Sequence, residues 1–143
     1  MAFRTPYLMF LGDAPDELTA KTAIGVCDWR PEWCVGQMRL PGCNADLGLP
    51  EMTPAEAAAA GCGTMIVGVA NRGGLISDTW AEAIVAAIES GMDVASGLHQ
   101  KLSANPAIKE AAEKHGRTLT DVRHPTRDFP VASGVVRTGK RLL

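Results

Sequence analysis

Arg72-Gly73-Gly74, His99 and Asp13 are the residues whose types could do chemistry. An arginine can hold a carboxylate or phosphate through paired hydrogen bonds. Two adjacent glycines between an apolar run and a helix-like pattern allow two readings. They can permit positive φ in a tight turn, or leave backbone N–H groups open to a ligand. His99 could act as a general acid or base, and equally as a hydrogen-bonded structural histidine. Asn71 precedes the arginine, and Ser96 stands three residues before His99 in Ser96-Gly97-Leu98-His99. Lys21 reads as a solvated lysine unless it curls over a site. Arg123 and His124 follow the last apolar run. No Ser-His-Asp or Cys-His arrangement can be asserted from these spacings.

Such residues need elements to position them, and the pattern supplies alternating strands and helices. Pro6–Gly12, Trp33–Leu40, Thr64–Ala70, Met92–Leu98 and Arg117–Val122 read as strands. Asp16–Val26 reads as a helix, with Leu18, Thr22 and Val26 on one face and Asp16 and Glu17 in its first turn. Thr53-Pro54-Ala55-Glu56 and Thr79-Trp80-Ala81-Glu82 carry the capping-box signature, and Asn105-Pro106 opens a helix that Gly116 ends. No hairpin dipeptide joins the strands. The expectation is an α/β, Rossmann-like three-layer fold: a mostly parallel sheet of about five strands, covered on both faces. A small molecule would sit beyond the carboxyl ends of the strands, where the winding reverses between the first and third. Gly12-Asp13, the Asn71–Gly74 loop and Ser96–His99 converge there. The first turn, Gly12-Asp13-Ala14-Pro15-Asp16, lacks the spaced glycines of a dinucleotide fingerprint, which disfavours an NAD-dependent oxidoreductase.

Composition narrows the class. The chain of 143 residues has a formal net charge of -2 and 46% hydrophobic residues. That excludes a basic nucleic-acid or acidic-membrane binder. No run approaches the ~20 apolar residues of a bilayer span, and no export signal is read at the N-terminus, so a cytoplasmic location is expected. Cys27, Cys34, Cys43 and Cys62 form no C-x-x-C pair, so no metal site is expected and the thiols read as small buried hydrophobes. Residues 1–125 read as one Rossmann-like domain. Residues 126–143, ending Lys140-Arg141-Leu142-Leu143, read as a linker and the first residues leading to a further domain.

Several stretches taken in order carry a resemblance: Phe10–Ala14, Lys21-Thr22-Ala23, Ile66–Ala70, Gly73-Gly74, Ser96–His99 and Asp121-Val122-Arg123. Together they resemble the N-terminal domain of the D-glutamate N-acetyltransferase family. The resemblance implies a Rossmann-like N-terminal domain followed by a P-loop-type C-terminal domain, which would be absent from this chain. It implies acetyl transfer from acetyl-CoA to the amine of D-glutamate, within D-amino-acid metabolism, and a nucleotide is possible through the C-terminal domain. It shifts the glycine pair toward ligand approach. Carried over as site residues are His99 as the catalytic group, and Asp13, Lys21, Asn71, Arg72, Gly73, Gly74, Ser96 and Arg123 as substrate- or anion-binding groups. Partners implied are a small-molecule substrate, the chain's own C-terminal domain and further copies in a homo-oligomer. A ligand-sensing nucleotide or CoA-binding module and an oligomerisation domain are the competing expectations.

Overall fold

A computed structural model describes residues 3–125, together with Gly139. The expected linker, residues 126–143, otherwise lies outside the described residues. Five strands form one sheet: β1 (Tyr7–Gly12), β2 (Cys34–Arg39), β3 (Thr64–Val67), β4 (Asp93–Ser96) and β5 (Leu119–Asp121). Their order is β2-β1-β3-β4-β5, with every pairing parallel. Four helices connect them: α1 (Lys21–Trp29), α2 (Pro54–Ala59), α3 (Asp78–Glu89) and α4 (Pro106–His115). The strands are those the pattern gives, each shortened to its paired core.

β1 lies between β2 and β3 and is buried along its whole length. Met9, Ile66, Ala95 and Thr120 are register partners across four strands and share one face; Phe10, Val67, Ser96 and Asp121 share the other. Right-handed crossovers place α1 on one face and α2, α3 and α4 on the other. Accordingly α2 packs on α3 and α3 on α4, whereas α1 packs on β1 and a 3-10 turn over Pro31–Trp33. The two faces are covered unevenly among the described residues, with α1 on one side and three helices on the other.

Capping explains where the helices start. Thr53 forms the expected capping box with Glu56, and Pro54 occupies the first turn of α2. Asn105 caps α4, and Gly116, in the left-handed conformation at φ 61°, ends it. At α3 the cap is Ser77, which accepts from the Trp80 N–H at 3.3 Å, and not Thr79; the helix begins two residues earlier than its second capping signature suggests.

The first helix departs most from expectation. It runs over Lys21–Trp29, not Asp16–Val26. Asp16 Oδ1 accepts from both the Thr19 N–H (2.8 Å) and the Thr19 hydroxyl (2.6 Å), closing a local turn in place of helical bonding. Leu18, expected on the buried face, is 74% exposed as a result.

Candidate functional site at the carboxyl edge of the sheet

Because the strands are parallel and in register, the segments that follow them emerge at one edge. The winding reverses between β1 and β3, and a crevice of about 330 Å³ lies there. Asp13, Thr19, Asn71, Ser77 and Trp80 border it. A neighbouring cavity of about 460 Å³, over the end of β2, shares Asp13 and adds Leu40, Thr79 and Glu82.

Asp13 is exposed, and its Oδ1 accepts from the Trp80 indole N–H at 2.8 Å. Gly12 explains how the indole comes so close. Its φ is +52°, and a Cβ there would meet Trp80 Nε1 at 2.8 Å. Trp80 thus fills the space beside the first turn. That turn also lacks the geometry of a phosphate site. Six residues of turn and bend structure separate Ala14 from Lys21, and the Ala23 N–H at the start of α1 donates to the Gly68 carbonyl at 3.2 Å.

The loop Asn71–Leu75 is closed by its asparagine. Asn71 Nδ2 donates to the Leu75 carbonyl (2.8 Å), and Asn71 Oδ1 accepts from the Leu75 N–H (3.0 Å). Both ends of that amide are engaged within the loop. The two glycines behave differently. Gly73, φ +87°, is exposed, with only Leu75 near the position of a Cβ. Gly74, φ +62°, is buried, and the place of its Cβ is taken by His99, whose Cδ2 and backbone N would both lie 2.8 Å away. The Gln100 N–H donates to the Gly74 carbonyl (2.9 Å), and Gln100 Oε1 accepts from the Ile76 N–H (2.8 Å). At Gly74 the close approach is by the chain's own histidine loop; at Gly73 the backbone faces solvent.

His99 itself is exposed. Its carbonyl accepts from His124 Nε2 at 3.0 Å, so that nitrogen carries a proton. This contact ties the segment after β5, which includes the exposed Arg123, to the His99 loop. Arg72 is exposed and takes no part in the ion pairs formed among the described residues. Asp13, Asn71 to Gly74, His99 and Arg123 therefore belong to one crown of loops. Lys21 and Ser96 do not reach the crevice: they border a separate cavity on the α1 face. Ser96 is buried, and its Oγ accepts from the Leu98 N–H at 3.1 Å.

Sequence reasoning missed Thr19, Ser77 and Trp80 as crevice residues. Ser77 carried a usable signal, a capping residue three positions before an aromatic. Nothing in the spacing announced that Trp80 would reach Asp13, 67 residues away in sequence. Among the described residues no group of three or more His, Cys, Asp or Glu side chains is arranged to hold a metal. The cysteines are free thiols, and burial raises those of Cys27, Cys34 and Cys62. Cys34, desolvated and beside the Cys27 thiol, is pushed up to about 12. These are poor nucleophiles and fit a packing role.

An all-parallel sheet in this order, with a crevice at the switch point, defines a Rossmann-like α/β domain. Residues 38–125 match the family described as "Domain of unknown function (DUF1611_N) Rossmann-like domain", and the chain belongs to that family. A D-glutamate N-acetyltransferase of Tritonibacter scottomollicae is 59% identical over 139 residues, which is 97% of this chain and 42% of that protein. One from a Pseudoalteromonas species is 43% identical over 143 residues, 100% of this chain and 43% of that protein. The crystal structure of a DUF1611 family protein from Anabaena variabilis superposes with a TM-score of 0.71 at 19% identity, over 91% of this chain and 40% of that one. The chain thus spans less than half the length of the relatives it matches. Among the described residues no helix is long and apolar enough to cross a membrane.

Proposed function

We propose that this chain is the N-terminal, substrate-binding domain of an N-acetyltransferase that moves the acetyl group of acetyl-CoA to the amine of D-glutamate. The observation that carries the reading is the 59% identity, over nearly the whole chain, to a protein of that name. The crown of loops supports it. D-Glutamate carries two carboxylates and an ammonium. Arg72 and Arg123, both exposed on segments linked through His99, can each hold a carboxylate. The ammonium has no lone pair, so a base must remove a proton before attack; His99 has the chemistry for it. The amine nitrogen then bonds to the thioester carbonyl carbon, the carbon–sulfur bond breaks, and coenzyme A leaves as the thiol after taking up a proton. No step requires a metal or a redox cofactor. The remainder of the longer protein, read as a P-loop-type domain, would supply the larger part of the CoA or nucleotide site. The four free thiols suit the reducing cytoplasm, where this reading places the enzyme.

The test uses the full-length protein. His99→Ala is expected to lower kcat for D-glutamate acetylation by about 10²- to 10⁴-fold, the usual range for a general base. Arg72→Ala is expected to lower kcat/KM by roughly 10- to 100-fold, as loss of a charged hydrogen bond does. Both side chains are exposed, so the melting temperature should stay unchanged. Activity near that of the parent in both variants refutes this site.

A further inference from the structure

Asp13 is an exposed carboxylate set in place by a buried aromatic side chain. Trp80 is 2% exposed, and its indole N–H donates to Asp13 Oδ1 at 2.8 Å. Gly12 admits the indole, because a Cβ there would meet Trp80 Nε1 at 2.8 Å. The contact ties the turn after β1 to the core side of α3, across 67 positions of sequence. Satisfying a buried N–H accounts for one carboxylate oxygen. It does not account for the charge, since a neutral carbonyl oxygen would accept the same bond. The second oxygen, Oδ2, takes none of the hydrogen bonds formed among the described residues.

Asp13 also borders both cavities at the switch point, of about 330 and 460 Å³. In the smaller it is the only charged side chain among the described residues, with the hydroxyls of Thr19 and Ser77 on the same wall. In the larger the other charged side chain is Glu82, a second anion. Neither carboxylate enters an ion pair among the described residues. Such a lining repels a carboxylate and attracts an ammonium group. The cationic side chain lies one step away: Asn71 borders the smaller cavity, and Arg72 follows it. The same loop runs on to Gly74, against which His99 packs. An α-amino acid carries its ammonium and α-carboxylate on one carbon, so an anion and a cation on neighbouring loops suit it.

We propose that Asp13 binds the ammonium group of the amino-acid substrate, with Trp80 as the positioning residue that holds the carboxylate in place. This deepens the acetyltransferase reading and rests on it for the identity of the ligand. It makes the turn after β1 a cation site, and leaves the substrate's carboxylates to the arginines.

The full-length protein is titrated calorimetrically with D-glutamate and with glutarate, which has the same two carboxylates and no amine. Acetylation of D-glutamate is followed in parallel. The parent is expected to bind D-glutamate more tightly than glutarate. Asp13→Asn keeps an oxygen for the indole N–H and removes the charge. It should weaken D-glutamate binding roughly 10- to 100-fold, the scale of a charged hydrogen bond, with glutarate binding and melting temperature unchanged. Trp80→Phe keeps an aromatic ring and removes the N–H, and should weaken D-glutamate selectively by about 3- to 10-fold. Should Trp80→Phe not fold, Asp13→Asn alone decides. A merely structural role would weaken both ligands together. Equal weakening of the two ligands in Asp13→Asn, D-glutamate binding as tight as in the parent, or a parent with no preference for D-glutamate overturns the proposal; acetylation of D-glutamate by that parent leaves the acetyltransferase reading standing. Selective loss in Asp13→Asn from a parent that binds D-glutamate but transfers no acetyl group supports the proposal and overturns that reading instead. A parent that neither binds nor acetylates D-glutamate overturns both.

Discussion

α3 and α1 flank the same sheet and are built on different principles. α3 buries six side chains, among them Trp80, Ile84 and Ile88, and is capped by Ser77. α1 buries only Ala23 and has no side-chain cap. One helix is held by volume. The other is held by proximity: Gly68 leaves room for Ala23 to lie directly on β3, and the Ala23 N–H donates to the Gly68 carbonyl. The lesson concerns where function can be placed. Trp80 is core at its base, edge-on to Phe10 at 6.0 Å, and polar at its tip, where it fixes Asp13. A heavily packed helix therefore sets the crevice wall, while the thinly packed helix leaves an apolar trough beside it.

The largest effect should come from the packed side. Trp80→Ala removes a side chain that is 2% exposed and is expected to cost about 3–5 kcal/mol, read as a fall in the urea midpoint. Leu18→Ala, at a residue expected from spacing to be buried and found exposed, should change stability by less than about 0.5 kcal/mol. Comparable losses in the two variants would erase the contrast and restore a helix beginning at Asp16.

Gly68→Ala sharpens the other half of the comparison. A Cβ at Gly68 collides with that of Ala23, so α1 must lift from the sheet, at a cost of about 1–3 kcal/mol. The same measurement on Thr53→Ala should give about 1 kcal/mol, because it deletes the capping box of α2. A smaller loss at Gly68 than at Thr53 would mean that α1 is not held by close approach.

The smallest effect is acid lability shared by both faces. Bonds from the Thr53 backbone and hydroxyl hold the Glu56 carboxyl below its ordinary value, and bonds from Thr19 do the same for Asp16. Groups lowered on folding stabilise fully above the unfolded carboxylate range, about pH 4, and lose that contribution as pH falls through the folded value. Melting temperatures should therefore decline below about pH 4. Thr53→Ala removes the hydroxyl bond and keeps the backbone one, so it should lessen the decline in part; an unchanged pH profile would show that the Thr53 hydroxyl does not act on Glu56.

Much of this architecture is legible along the chain. Thr53-Pro54 and Asn105-Pro106 start helices because capping chemistry is local, and Gly116 ends one for the same reason. The apolar runs become strands because their periods leave no other element. The start of the first helix is not legible, because a carboxylate at Asp16 suits a helical first turn and an isolated turn equally well, and the bonds it takes from the Thr19 N–H and hydroxyl favour the turn. In the candidate site, Asp13, Asn71, Gly74 and His99 were legible as residues at strand ends, because parallel strands carry such ends to one edge. Ser96 joins them in the sequence as the end of the fourth strand and Lys21 only through the family resemblance, and both border the α1-side trough instead.

The sequence by itself determined the alternation of strands and helices, the caps, and the list of polar residues beyond the strands, since these depend on neighbours a few positions apart. Tertiary structure alone decided that Gly74 yields its space to His99, that Trp80 reaches across to Asp13, and that Lys21 and Ser96 border a cavity on the α1 side of the sheet. Those outcomes depend on how closely distant backbones approach, and separation in sequence says nothing of that distance.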